Sequence, residues 1–301
     1  LVRRLRERGA AVRCLVLPND PGRAALAELG CEVVEGDLGQ PAPLSHATVG
    51  VETVYHLAAI ILSHDPSVFQ RVNLEGTVRL ARAAADSGVR HFIYVSSASV
   101  VYPRRTPYAE SKLAAEEVVR TTGRFEHTIV RPTLVYDERG GQEFVLFRDF
   151  VLRYPIVPLV GSGTARKRPV FSGDVIDGLL LLLDNPKSYG KSYNFSGGET
   201  ISIGELARLV LRHHGQERVF MHVPESLCRV TAKVARFLMA RPPITESAIA
   251  GLTNHADLDP GAAVADLGYR PLGVHAGFER CFPIHRQRGQ LPVGTKKEIL
   301  T

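Results

Sequence analysis

Short apolar runs alternate with longer helical stretches as far as Tyr136, and few architectures accommodate that rhythm. Residues 12–17 are apolar apart from Arg13 and stop at a Pro18-Asn19-Asp20-Pro21 turn. Residues 24–29 read as a helix stopped by Gly30, and 31–34 as a second strand. A third strand spans 51–59, a long helix 69–87 closed by Gly88, and a fourth strand 91–97. A helix over 108–122 ends at Gly123, and a strand over 128–130 runs into Arg131-Pro132. Strands separated by helices of roughly 10 to 20 residues imply βαβ units and a parallel sheet covered on both faces. Beyond Tyr136 the alternation loosens, leaving a helix at 174–183, a strand at 192–195 and a helix at 203–213.

A chain of 301 residues fits one large domain or two closely joined ones, at about 150 residues per domain. Hydrophobic residues at 45% and charged residues at 23% exclude disorder, coiled coil and collagen. The longest apolar stretch, Leu179 through Leu183 between Asp177 and Asp184, falls far short of a membrane span. Cys14, Cys31, Cys228 and Cys281 are scattered without a CxxC pair, and read as buried thiols of a reducing, cytoplasmic compartment. The net charge of +6 favours anionic small molecules. Arg3, Arg4, Arg6 and Arg8 share a short helix with Leu5 and Glu7, a solvated face, so no nucleic-acid partner is expected.

The chemistry concentrates in "YAESK". Tyr108 and Lys112, four apart on a helix, share one face, and an ammonium beside a phenol lowers the phenol's pKa. A tyrosine so adjusted can take a proton from an alcohol. Upstream, "YVSSAS" puts Ser96, Ser97 and Ser99 where a strand passes into a loop, at the sheet edge that lines ligand crevices. "VYHLAA" ends another strand in two alanines, small enough for a flat ligand to approach the backbone. Other chemistries find no pattern: there is no GxSxG elbow and no HExxH, and no metal is expected. His213 and His214 face different sides of a helix, His56 reads as a hydrogen-bonded core histidine, and Glu116-Glu117 as helix surface.

The ordered series "EGDL" (35–38), "VETVYHLAA" (51–59), "VNLEGT" (72–77), "YVSSAS" (94–99), "YAESK" (108–112) and "VRPTLVY" (130–136) resembles the extended short-chain dehydrogenase/reductase family, the NAD-dependent epimerase/dehydratase group. Weaker similarity continues to "DLGYRP". The resemblance implies a Rossmann-type, doubly wound α/β sheet over 1–155 and a smaller substrate lobe over 156–285. A helix and strand near 174–196 would return to the sheet, and 286–301 would form a tail. It implies Ser97, Tyr108 and Lys112 as the catalytic set, with Tyr108 and Lys112 also touching the cofactor. Asp37 and Leu38 would flank the adenine, Leu57, Ala58 and Ala59 would line the dinucleotide, Asn73 would order the site, and Pro132-Thr133 would lie beside the nicotinamide. The expected cofactor is NAD or NADP, with a slight lean to NAD, although Val16 and Leu17, which stand where the discriminating residues fall, do not choose between the two.

The sequence departs from the pattern in three places. The glycine-rich turn and its strand do not precede "LVRRLRERG", so about 15 residues are expected to be absent, and such a piece should bind dinucleotide poorly. The absent strand would lie centrally, between the strands at Val12 and Val54. Lys167-Arg168-Pro169-Val170-Phe171 replaces an Arg-Asp-aromatic run, and Leu134 stands where nucleotide-sugar enzymes carry asparagine. The leading expectation is epimerase, dehydratase or oxidoreductase chemistry on a hydroxyl or keto group of a sugar or nucleotide-sugar. The alternatives are a ketone/alcohol reductase on an apolar substrate, resembling 3β-hydroxysteroid dehydrogenases or dihydroflavonol reductases, or a non-catalytic nucleotide-binding scaffold of the complex I-associated type. An apolar pocket around Val145, Phe150 and Phe171 would favour the reductase. A homodimer through the Tyr108 helix is a further expectation by analogy.

Overall fold

In the computed structural model, which describes residues 1–138, 140–238 and 246–283, the first half is built from parallel strands. The elements begin α1 (Val2–Glu7), β1 (Arg13–Val16), α2 (Arg23–Glu28), β2 (Glu32–Glu35), α3 (Pro41–Thr48) and β3 (Thr53–His56). Then come α4 (Ser67–Phe69), a π-helical segment (Gln70–Glu75), α5 (Gly76–Asp86), β4 (His91–Val95), α6 (Pro107–Thr121), β5 (Glu126–Pro132) and β6 (Val135–Tyr136). The second half holds α7 (Gln142–Arg153), β7 (Ile156–Val160), β8 (Arg166–Lys167), β9 (Val170–Phe171), α8 (Ser172–Leu180), β10 (Lys191–Phe195) and β11 (Ile201–Ser202). It closes with α9 (Ile203–His213), β12 (Val219–Val223), α10 (Glu225–Leu238), α11 (Glu246–Thr253), α12 (Gly261–Leu267) and α13 (Val274–Cys281).

The main sheet runs β10-β5-β4-β3, all parallel, and successive residues of β4 feed opposite faces. Phe92 and Tyr94 join Leu44, Leu80, Ala84, Ala115 and Val119 on the side of α3, α5 and α6. Ile93 joins Leu179, Leu182, Tyr193, Phe195 and Leu267 on the side of α8 and α12. A parallel sheet buried on both faces by helices is what the alternation implies, and its Rossmann-type α/β architecture is what the resemblance implies. β1 and β2 form a separate parallel pair; among the described residues β1 pairs with β2 alone and β3 with β4 alone. A third core, with Tyr136, Phe144, Leu206, Val210 and Phe278 at its centre, gathers α7, α9 and α13.

Several expectations are corrected. The third strand is shorter than 51–59: hydrogen bonding ends at His56, and Leu57, Ala58 and Ala59 form the loop beyond it. α3 adds an element that the sequence analysis did not name; its Pro41 and Pro43 stand in the first turn, where proline removes no helical hydrogen bond. Glu116 is not surface: it is 0% exposed and holds Arg131 bidentately at 2.9 and 2.6 Å, with Arg120 at 3.2 Å. The arginines neutralise a carboxylate that burial would otherwise penalise. Of the four cysteines only Cys228 is buried; Cys14, Cys31 and Cys281 are half-buried, and all four are free thiols.

Candidate active site

The site stands at the carboxyl end of β4. Val95 is the last residue of that strand, and its carbonyl accepts a 2.7 Å hydrogen bond from Lys112 Nζ. Lys112 is 1% exposed, and its ammonium also lies 4.2 Å from the centre of the Tyr94 ring. Burial drives its pKa down to about 7, against the pull of Glu116 one turn further along α6. Thr106 caps α6 by accepting from Ala109 N, and Pro107 takes the first helical position, which fixes where Tyr108 leaves the loop.

Tyr108 is half-buried, its ring edge-on to Phe69 at 6.0 Å. The expectation of a phenol lowered by Lys112 is corrected here. Burial pushes Tyr108 up to about 12, the Glu143 carboxylate adds to the rise, and a hydrogen bond with Ser97 pulls the other way. Lys112 is engaged by the Val95 carbonyl and the Tyr94 ring, and Ser97 is a group that favours the phenolate. Ser97 caps the short helical turn Ala98–Val101, accepting from Ser99 N at 3.2 Å and sharing a 2.9 Å bond with Ser99 Oγ. Neighbouring Ser96 is 5% exposed, and its Oγ is buried without a hydrogen-bond partner among the described residues.

Asn73 ties the site together. Its Oδ1 accepts from Ile60 N at 2.8 Å, and its Nδ2 donates to Ile60 O at 3.0 Å and to Ser111 Oγ at 3.1 Å. Ser111 in turn donates to the Tyr108 carbonyl at 2.7 Å. One buried amide thus joins the loop after β3 to the helix carrying Tyr108. It sits in the π-helical segment, where the wider turn changes side-chain phase; Thr77 Oγ1 donates to the Asn73 carbonyl at 2.6 Å. The same Thr77 hydroxyl meets His56 Nε2 at 2.8 Å, so His56 is indeed a hydrogen-bonded core histidine, driven down to about 3 by burial.

The other expected residues fall around this centre. Leu57 is 48% exposed and Ala58 is exposed, lining the open rim beyond β3 with half-buried Ala59. Asp37 is exposed and accepts from Gly39 N at 2.6 Å, whereas Leu38 is turned into the core against Gly76. Pro132 is buried at the end of β5, and Thr133 Oγ1 donates to the Arg168 carbonyl at 2.5 Å. Glu143, in the first turn of α7, was not foreseen: it is solvent-accessible, yet its charge raises both Tyr108 and Tyr102, and desolvation raises its own pKa. No motif announced it; only the packing of α7 on β6 and α9 sets its charge near Tyr108.

The basic run is spent inside the protein. Lys167 is 3% exposed and donates to the carbonyls of Gly251 and Asn254 at 2.6 and 2.5 Å, closing the end of α11. Arg168 bonds Thr200 at 3.2 Å and faces Asp259 at 3.6 Å. Phe171 packs with Tyr136 beneath the Arg280 guanidinium, while Phe150 lies outside against Tyr154 and Val145 is half-buried. His213 and His214 are half-buried and bonded to the carbonyls of Phe282 and Val210, each at 2.8 Å. Among the described residues no three His, Cys, Asp or Glu gather to hold a metal, and no helix is long and apolar enough to cross a membrane.

The donors at the end of β4 suit a nicotinamide ribose: a buried ammonium, a phenol, the Ser97 hydroxyl and the unpartnered Ser96 hydroxyl, beside an alanine-lined rim. The set stands at the carboxyl edge of a Rossmann-type sheet, where open α/β sheets take their ligands. The model of the NAD dependent epimerase/dehydratase family matches residues 1–204, and the chain belongs to that family. Over 186 residues it is 35% identical to the ceramide reductase of Caulobacter vibrioides, covering 62% of this chain and only 57% of that protein. It is 27% identical to a 3 beta-hydroxysteroid dehydrogenase/Delta 5-->4-isomerase of Mycobacterium tuberculosis, covering 84% of this chain and 79% of the other. Among solved structures, DesIV, a dTDP-glucose 4,6-dehydratase of Streptomyces venezuelae with NAD bound, superposes with a TM-score of 0.72 at 24% identity. That match covers 95% of this chain and 93% of DesIV.

Proposed function

We propose that this protein is an NAD(P)-dependent oxidoreductase that interconverts a hydroxyl and a keto group on an amphiphilic, lipid-like substrate. The observation that carries the reading is the Ser97, Tyr108 and Lys112 set at the carboxyl end of β4. The nicotinamide, when bound, supplies or accepts the hydride. Tyr108 exchanges the proton at the substrate oxygen, and Ser97 hydrogen-bonds both that oxygen and the phenol, favouring the phenolate. Lys112, anchored to Val95 O, holds the ribose and keeps the helix face in register. Asn73 positions rather than reacts, through Ser111 and the Ile60 loop. Asp37, Leu57, Ala58, Ala59, Pro132 and Thr133 complete the cofactor contacts, with Leu38, whose side chain is turned into the core, contributing at most its backbone. NAD is the cofactor this reading favours, since Arg23, in α2 after β1, is already paired with Glu35.

Two observations favour the lipid-like substrate over a nucleotide-sugar. Lys167 and Arg168 are committed to carbonyls, Thr200 and Asp259, leaving neither free for a pyrophosphate. Leu134 is half-buried against the lobe core. Glu143 supplies a polar partner for a head group beside the reacting carbon. That carboxylate would equally receive sugar hydroxyls, which is what supports the sugar or nucleotide-sugar reading. The full-length protein, given NADH or NADPH with a long-chain keto amphiphile, a 3-ketosteroid, UDP-glucose or dTDP-glucose, separates them by absorbance of the reduced nicotinamide and product analysis. Turnover of the amphiphile or steroid alone is expected; turnover of a nucleotide-sugar alone would move the assignment to epimerase or dehydratase chemistry.

A further inference from the structure

The β7–β12 pair has two faces with different fates. Val157 and Phe220, opposite one another, turn into the lobe's core. By strand alternation the other face carries the cross-strand pairs Ile156–Val219, Pro158–Met221 and Val160–Val223. Cys228 and Ala232 of α10 and Ile249 of α11 cover Val160 and Val223. The remainder is bare: Ile156 is 49% exposed, Val219 67% and Met221 51%.

α10 lies over the covered end of that face and carries a second apolar stripe on its outer side. Leu227, Val230 and Val234 follow helical spacing away from Cys228 and Ala232, and each is more than half exposed, at 53%, 57% and 52%. A helix apolar on two sides is built for cover on both. Single exposed apolar residues need no explanation, but six on three adjoining elements do.

The charge around them selects the occupant. Among the described side chains of α10, Arg229 and Lys233 stand against one acid, Glu225, which Arg229 already binds at 2.8 and 2.6 Å. Lys233 is exposed beside the stripe. Apolar side chains flanked by basic ones fit an anionic lipid surface, whereas a second copy of a chain with net charge +6 would set like charges together. The place is apt as well. Arg104, in the loop that leads to Tyr108, reaches Glu225 at 3.8 Å, so α10 begins beside that loop.

We propose that α10 and the bare end of the β7–β12 face dock this protein on an anionic bilayer, so that an amphiphilic substrate reaches Tyr108 from the lipid side. The delivery part rests on the function proposed above; the docking does not. Flotation of the full-length protein, without substrate or cofactor, with vesicles of phosphatidylcholine alone or with about 30% phosphatidylserine tests it. Binding to the anionic vesicles is expected, about tenfold weaker on the neutral ones. Val230→Glu with Val234→Glu should cut binding about tenfold while leaving the melting temperature and turnover of a water-soluble ketone unchanged. Lys233→Gln, a surface change that carries the test should the double variant fold poorly, should cut it about fivefold. No flotation with either vesicle, or flotation indifferent to these variants, overturns the proposal. A dimer in light scattering that the same variants dissolve, without vesicle binding, overturns it in favour of a second copy. Vesicle binding as expected without turnover of any apolar ketone leaves the docking standing and removes the substrate reading.

Discussion

Tyr108 and Lys112 are one helical turn apart, yet their electrostatics are not those of an isolated pair. The ammonium is buried against a carbonyl and an aromatic face, and the phenol answers to its own desolvation, to Glu143 and to Ser97. Tyr108→Phe removes the proton donor without altering packing, so kcat should fall by about 10²–10⁴-fold with the melting temperature nearly unchanged. Steady-state kinetics beside thermal melts check this, and an unimpaired kcat would remove Tyr108 from the reaction. Glu116 gives the contrasting case, a charge that works for the fold. Glu116→Ala leaves half-buried Arg131 without its bidentate partner and should cost about 2–4 kcal/mol in chemical denaturation, below the range for a fully buried pair. A loss below about 1 kcal/mol would mean that the pair is as weak as an exposed one.

The helical stretch from Ser67 to Asp86 shows what one element contributes beyond its length. Its π-helical segment lets Asn73 reach Ile60 and Ser111 while Thr77 serves both the Asn73 carbonyl and His56. Asn73→Ala strips the Ile60 N–H and C=O of their side-chain partner, at a cost of about 1–3 kcal/mol. Faster hydrogen exchange at Ile60 and a lower kcat/KM are the expected readouts. Unchanged exchange there would show that the loop is held by other contacts. A helix over 69–87 was legible from apolar spacing, and a resemblance marked Asn73. The π-helical register was not legible, because it depends on what the loop and α6 offer the side chain.

Acid stability follows from the burial of two histidines across the main sheet. Burial drives His56 down to about 3 and His91 down to about 4 from an ordinary 6.5. Below pH 6.5 the unfolded chain takes up protons that the folded chain refuses, so stability falls as pH drops towards 4. The slope reaches at most about 1.4 kcal/mol per pH unit for each ring. Urea titrations between about pH 7 and about pH 5 should show a flatter slope for His56→Gln with His91→Gln than for the parent protein. Equal slopes would put the proton uptake on other groups.

The parallel α/β architecture was determined by the sequence itself, since buried central strands must be near-continuously apolar and helices amphipathic, and both patterns are local. The Tyr108–Lys112 spacing and the serines after β4 were legible for the same reason. The tertiary structure alone decided where charge went. It carried Lys167 to the end of α11, closed Glu116 around Arg131, set the Glu143 charge near Tyr108 and left the outer stripe of α10 bare. Those outcomes turn on desolvation and on partners distant in the chain, which no window of neighbouring residues encodes.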